Sequence, residues 1–266
     1  MNLITLTTDF GLKDPFAGMM KGVIYSINKD VNIVDISHGI GSQDIIEGAF
    51  VIGHSYRYFP KNTIHVVVVD PGVGSRRRPV LVTASGHYFI GPDNGVLSVV
   101  IAGNPGSRVF EITAEQYFLR SVGATFQGRD VFAPVAAWLA KGGEPHHFGR
   151  EISDYASIEI PKPIKVGDSM KGEVIYIDRF GNLITNITYT DLEDMQKMDV
   201  PASSPSVRIC GIEMTGIKRY YAEAEGDETA PIINSFGLLE IYRYMGDASK
   251  ALNAGKGDAI EVQYGS

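Results

Sequence analysis

Four stretches of the chain combine glycine and a carboxylate at a strand end. They are Thr7-Thr8-Asp9-Phe10-Gly11, Asp70-Pro71-Gly72-Val73-Gly74-Ser75 running into Arg76-Arg77-Arg78, Gly91-Pro92-Asp93-Asn94-Gly95, and Thr125-Phe126-Gln127-Gly128-Arg129-Asp130. In a parallel sheet, ligands bind in the crevice outside the carboxyl ends of the strands. A carboxylate placed there can accept hydrogen bonds from both hydroxyls of a ribose. Asp9 and Asp70 each end a predicted strand, so both can face one crevice. The competing reading is that these aspartates cap turns and helices, a common use of aspartate. Gly91-Pro92-Asp93-Asn94-Gly95 reads as a tight turn in which Gly91 and Gly95 supply dihedrals that other residues avoid. The Asp70 segment is not a phosphate loop, because it lacks the Lys-Ser/Thr ending and the glycine spacing of a dinucleotide fingerprint.

In the second half, Asp178-Arg179-Phe180-Gly181-Asn182 reads as strand, turn, strand. An aromatic ring and an amide brought together there can stack on and hydrogen-bond a nucleobase. Alternatively, the segment is a hairpin with Phe180 tucked into its own core. Asn234-Ser235-Phe236-Gly237-Leu238-Leu239-Glu240 reads as a turn entering a strand. The six histidines show no metal-ligand spacing, and adjacent His146 and His147 read as a solvated loop. No Ser/His/Asp order or nucleophile elbow is visible.

Positioning these groups falls to two kinds of element. Residues 2–8 alternate apolar residues with threonine and predict a first strand. Asp14-Pro15 predicts a helix start, with Asp14 as N-cap and Pro15 at the first helical position. Phe16, Met20, Val23 and Ile27 follow at helical spacing. A short strand is expected over 32–36 and a second helix over 42–58. The β-branched run 64–69 is unbroken, as in a strand covered on both faces. Strands over 80–85 and 88–90 are bridged by a Gly86-His87 turn, and a helix over 130–141 stops at Gly142-Gly143. The alternation of strand and helix predicts an α/β domain over 1–157. Residues 161–168 read as a linker. Short strands follow over 172–177, 183–187, 206–212, 232–233, 238–242 and 259–262, with a short helix over 248–252. They predict an all-β module over 168–266.

Composition narrows the function. A net charge of -7 argues against general nucleic-acid affinity. Arg76-Arg77-Arg78 is the local exception and reads as a solvated turn or an ion-pair network. The single cysteine, Cys210, excludes an internal disulfide and a cysteine-based metal cluster. No apolar run reaches the roughly 18 residues needed to span a bilayer. The first residues carry no basic leader, so a cytoplasmic location without membrane partners is expected.

Taken in order, TTDFG, QDI, VVDPGVGS-x-RRP, GPDNGVLS, TF-x-GRD-x-FAP-x-AA, DRFGN-x-x-TNI and NSFG-x-LEI run along nearly the whole chain. Together they resemble the S-adenosylmethionine hydrolase (hydroxide adenosyltransferase) family, whose relatives include fluorinase and chlorinase enzymes. The resemblance implies an N-terminal α/β domain with a mostly parallel central sheet, then a C-terminal β-barrel-like domain. It implies homotrimers with sites between subunits, and hydrolysis of S-adenosylmethionine to adenosine and methionine. The sulfonium is substrate, and neither cofactor nor metal is implied. Asp9 matches the family's ribose-binding aspartate, and Asn182, with Phe180 nearby, an adenine-side contact. Ser235 and Glu240 match positions facing methionine and nucleoside, and Met245 a residue whose backbone reaches adenine. Water or hydroxide is associated with an Asp-Arg-His set, matched by Asp70, Arg77 and Gln127. Glutamine replaces the family histidine of TFHGRD; it can orient water but cannot take its proton near neutral pH. A nucleoside-binding protein with weak or lost hydrolysis is the alternative. Halide transfer is a further one, and the Asp70 carboxylate, absent from the halogenating relatives, argues against it.

Overall fold

The computed structural model describes residues 3–120, 123–198 and 204–264. The chain divides into two compact units, Met1–Ile160 and Pro161–Ser266.

The first unit runs β1 (Leu3–Thr8), α1 (Phe16–Ile27), β2 (Asn32–Ser37), α2 (Ile45–Ser55), β3 (Ile64–Val68), β4 (Pro79–Ala84), β5 (His87–Pro92), α3 (Ser98–Ala102), β6 (Arg108–Glu111), α4 (Ala133–Ala140), α5 (Pro145–Phe148) and β7 (Glu151–Ile152). Its sheet has the order β2-β1-β3-β5-β4-β6-β7. The strands β2, β1, β3 and β5 are parallel, and β4, β6 and β7 extend the sheet antiparallel. The β3 run is unbroken because both faces are covered. Ile64, Val66 and Val68 join a core with Met20 and Ile24 of α1 and the small residues of α4. Val67 and Val69 join a core with Ile52 of α2 and Phe89.

Several boundaries differ from the sequence expectation. Asn2, placed in the first strand, lies outside the described residues. Asp14 does not cap α1; the N-cap position is Pro15, and the helix starts at Phe16. The helix α2 starts at Ile45 rather than near 42, because Asp44 accepts the Glu47 amide and caps it. It ends at Ser55, and a 3₁₀ turn, Tyr56–Tyr58, completes the stretch. The helix expected from 130 begins earlier as a π-helix, Gly128–Phe132, and becomes α-helical only at Ala133. Gly95 has φ 94°, but Gly91 lies inside β5 outside the left-handed region. There a Cβ would stand 2.6 Å from the Val67 carbonyl oxygen, so close strand approach is what requires glycine. His146 and His147 are exposed, as expected, but sit on the short helix α5 rather than in a loop.

The second unit runs β8 (Ile164–Val166), β9 (Ser169–Ile177), β10 (Leu183–Thr188), α6 (Tyr189–Met198), β11 (Ser206–Ile209), β12 (Ile212–Thr215), β13 (Thr229–Ile233), β14 (Leu238–Arg243), α7 (Ala248–Leu252) and β15 (Ala259–Gln263). Its antiparallel sheet has the order β12-β11-β15-β9-β10-β14-β13, with β8 beside β9. Just past β12, the Lys218 amide donates to the Pro231 carbonyl of β13 at 2.8 Å, so the barrel is nearly closed. Part of the stretch read as a linker is therefore a strand of this unit. The expected single strand over 206–212 is a hairpin, because Cys210 and Gly211, at φ 48° and 78°, make its turn. The helix α6 was not expected. Leu192 and Met195 lie on its buried side, and Asp191 accepts the Thr188 amide at its start.

The α/β unit buries a polar row across three strands. The His65 ring on β3 contacts Thr5 Oγ1 at 2.7 Å and His87 Nδ1 at 3.3 Å, and it stacks on Phe89. Burial, with the neighbouring His87, pushes His65 down from 6.5 to about 3. Unfolded His65 therefore binds a proton that the folded protein refuses between those values. This contribution to stability is complete above pH 6.5 and is lost as pH falls toward 3, by about 1.4 kcal/mol per pH unit. Urea unfolding at pH 7 and 4.5 should show the loss, and His65→Gln should lose stability less steeply. Equal slopes would remove His65 from the acid response.

Candidate functional site

The α/β unit opens a cleft of about 360 Å³ at the carboxyl ends of β1 and β3, lined among others by Asp9, Gln43, Asp70, Phe126 and Gln127. The parallel order β2-β1-β3 brings together groups far apart in sequence. Asp9 follows β1, and its Oδ2 accepts the Gln43 amide at 2.8 Å. Gln43 itself has φ 66°, and the next residue caps α2.

Asp70 lies two residues past β3. Arg77 holds it with two hydrogen bonds, Nε to Oδ1 at 2.6 Å and Nη2 to Oδ2. Both side chains are nearly buried, and the two parallel bonds fix the carboxylate's plane as well as its charge. The Arg77 guanidinium also lies 5.7 Å from the Phe132 ring centre. Asn94 Nδ2 donates to the Val69 carbonyl at 2.8 Å and steadies the chain just before Asp70. Arg78 pairs with Asp93 and Asp154, so the arginine run belongs to an ion-pair network.

The third wall is the start of the π-helix. Phe10, Phe16 and Phe126 meet edge to face with ring centres 5.2–5.7 Å apart. Gly128 lets the turn sit against them, since a Cβ there would meet Phe126 Cε2 at 3.1 Å and Met20 Sδ at 3.3 Å. Gln127 lies just before the π-helix, a local irregularity frequent at functional sites. Two buried atoms here have no hydrogen-bond partner among the described residues, Arg77 Nη1 and Gln127 Oε1. One is a donor and the other an acceptor, and each costs about 1–3 kcal/mol if left unmade.

The β unit carries a separate cavity of about 640 Å³, lined by Asp178, Phe180, Asn182, Tyr221, Tyr242 and residues 243–247. Phe180 is 73% exposed, which overturns the reading that it tucks into its own hairpin. Asp178 Oδ1 accepts the amides of Phe180 and Asn182, and Asp178 Oδ2 accepts Asn182 Nδ2, so this turn is tightly held. Met245, at φ 51° and 91% exposed, lines the same cavity. Ser235 is on an exposed turn outside the lining, and Glu240 is buried behind Tyr221. Glu240 accepts from the Tyr221 hydroxyl at 3.0 Å and from Asn234 Nδ2 at 3.1 Å. Burial raises the pKa of Glu240, outweighing those hydrogen bonds, and burial with Glu240 raises that of Tyr221.

Sequence reasoning missed Tyr221, Tyr242 and Tyr244 in this cavity, and Phe10 and Phe16 in the wall of the other, where only Phe126 was expected. The adjacent Tyr220 and Tyr221 in a polar stretch were the available signal for the first. Among the described residues, no three of His, Cys, Asp or Glu cluster as metal ligands. No helix among them is long and apolar enough to cross a membrane.

Comparison with known proteins gives both units the same kinship. Residues 4–149 match the family model for the SAM hydroxide adenosyltransferase N-terminal domain, and residues 172–261 that for its C-terminal domain. A relative from Methanocaldococcus jannaschii named (R)-S-adenosyl-L-methionine hydrolase is 37% identical, over 99% of this chain and 97% of its own. One of the same name from Salinispora tropica is 31% identical over 98% of each. A crystal structure of an uncharacterized conserved protein from Thermotoga maritima superposes with a TM-score of 0.91 at 33% identity, covering 98% of this chain and 99% of that one.

Proposed function

The chain belongs to the SAM hydroxide adenosyltransferase family, and from that premise we propose that it hydrolyses S-adenosyl-L-methionine to adenosine and L-methionine. The observation that carries the reading is the meeting of Asp9, Asp70 and Gln127 on one cleft, with Asp70 clamped by Arg77. Water attacks the ribose C5′ in line with the departing sulfur. The O–C5′ bond forms, the C5′–S bond breaks with its electron pair going to the sulfur, and the attacking water gives up one proton to solvent. Methionine leaves as a neutral thioether, so the leaving group needs neither a general acid nor a Lewis acid. The protein's task is to hold substrate and water in line and to exclude competing nucleophiles.

In this reading Asp9 accepts the ribose hydroxyls. Asp70, held by Arg77, and Gln127 orient the attacking water. The cavity of the β unit takes the base, with Phe180 stacking, Asn182 bonding its edge and the Met245 backbone beside it. Glu240 supports Tyr221 from behind, and Ser235 completes the methionine end from its turn. The base-binding and ribose-binding groups come from different copies of a homotrimer. Large apolar side chains exposed in each lining support this, Phe180 and Met245 on one unit and Phe16 on the other.

Purified protein should release adenosine and methionine in equal amounts from the sulfonium. Ligand binding without adenosine above the blank would refute the hydrolase reading. Light scattering should give three times the 28.9 kDa chain mass, and a stable, active monomer would contradict the shared site. The rate should survive EDTA; a loss restored by a divalent ion would require a metal.

A further inference from the structure

We infer that His38 is a positioning residue, which holds the loop 38–43 against the end of β1 and so sets the Asp9 carboxylate that binds substrate. The inference rests on the reading of Asp9 as ribose ligand. His38 is the first residue after β2, is 5% exposed, and does not line the cleft. Its Nδ1 contacts Oγ1 of Thr8, the fully buried last residue of β1, at 2.8 Å. Its carbonyl accepts the Gly11 amide at 2.7 Å. Main chain and side chain of His38 therefore grip the two sides of Asp9. Five residues on, the same loop delivers the Gln43 amide to Asp9 Oδ2. The loop's far end is fixed by the Asp44 cap and by the Gly41 amide donating to Glu47 Oε1.

The hydrogen-bond polarity follows from the neighbours. Thr8 Oγ1 accepts the Phe10 amide at 3.3 Å and keeps its own proton to donate to His38 Nδ1, the arrangement favoured by the carboxylate that faces the other ring nitrogen. The imidazole proton then belongs on Nε2, which stands 3.1 Å from Asp35 Oδ1, though out of line for a hydrogen bond. Lys21 Nζ holds the other Asp35 oxygen at 2.5 Å. Burial alone would raise Asp35, but Lys21 and His38 hold it below its ordinary value. The chain Phe10–Thr8–His38–Asp35–Lys21 thus joins the Asp9 turn to β2 and α1. None of its members after Phe10 lines the cleft.

Thr8→Val removes the hydroxyl and keeps the shape. His38→Leu removes both ring nitrogens, and His38→Asn returns an acceptor near the place of Nδ1. Thr8→Val and His38→Leu should each raise KM and the Kd for adenosine roughly tenfold, as expected for one lost hydrogen bond, with kcat within about threefold. His38→Asn should recover most of that affinity. In an Asp9→Ala background, adding Thr8→Val should change neither constant by more than about twofold, because the carboxylate it positions is gone. A purely structural role predicts instead a lower melting temperature, no KM-against-kcat split and additive effects. Unchanged affinity in Thr8→Val, or additivity with Asp9→Ala, overturns the inference. Thr8→Val decides the matter if His38→Leu does not fold. If Asp9→Ala alone leaves affinity intact, the ribose-ligand reading fails as well; intact affinity in Thr8→Val beside a weakened Asp9→Ala sinks only the role of His38.

Discussion

Asp70→Asn should give a folded protein that releases adenosine about 10²–10⁴-fold more slowly than the parent. The substitution keeps the size of the side chain and removes its charge. Arg77 Nε and Nη2 now donate to two carboxylate oxygens in a nearly buried pair. With an amide in place of the carboxylate, one donor meets an N–H group and the guanidinium loses its counter-charge. The water then loses both its strongest acceptor and the rigid plane that aims it. Breaking one side of a buried pair also costs about 3–5 kcal/mol of stability, so turnover must be read alongside the melting temperature. Adding Arg77→Met separates the two effects. The double variant should regain stability, because no charge is left buried alone, while turnover stays low. Turnover of Asp70→Asn within threefold of the parent would take Asp70 out of the chemistry. Recovery of turnover in the double variant would show that the loss came from misfolding.

Gln127→His should raise turnover by up to about 10²-fold and introduce a pH dependence that the parent lacks. Gln127 Oε1 is a buried acceptor without a partner among the described residues, held just before the π-helix by the close approach of Gly128 to Phe10 and Phe126. An amide oxygen can accept a hydrogen bond from the attacking water but cannot take its proton. An imidazole at the same position can do both when neutral. Its ordinary pKa is about 6.5, so the gain should be small at pH 5, rise through neutrality and level off by about pH 8. The parent should show no step in that window. Adenosine release from both proteins across pH 5–9 is the measurement. Identical rates and profiles would mean that Gln127 only packs at the cleft edge, leaving Asp70 and Arg77 to position the water.

Much of the fold is legible in neighbouring residues, because turn chemistry and side-chain period are local. The unbroken β-branched run 64–69 announces a strand buried on both faces, and β3 has an apolar core on each. The aspartates at 9 and 70 stand where their strands end, so a shared crevice follows from a parallel arrangement of those strands. Local signals failed where two conformations were close in cost. The π-helix at 128–132 carries the same apolar spacing as an α-helix, and the choice was made by packing against Met20 and the phenylalanine wall. The helix α6, with buried Leu192 and Met195, shows no clear apolar period in its sequence.

The sequence by itself determined which groups are available: carboxylates after two strands, an arginine seven residues past one of them, a glutamine before Gly-Arg-Asp, and an aromatic–amide turn in the second half. Only the tertiary structure decided which of them meet. The Gln43 amide reaches Asp9 across 34 residues and His38 reaches Thr8 across 30, because β2 and β3 flank β1. Tyr221 finds Glu240 across 19 because it packs on β14, where the Tyr242 hydroxyl also donates to its carbonyl. Strand order is set by the burial of whole faces against α1, α2 and α4. That is a property of the assembled core, and no short window of residues contains it.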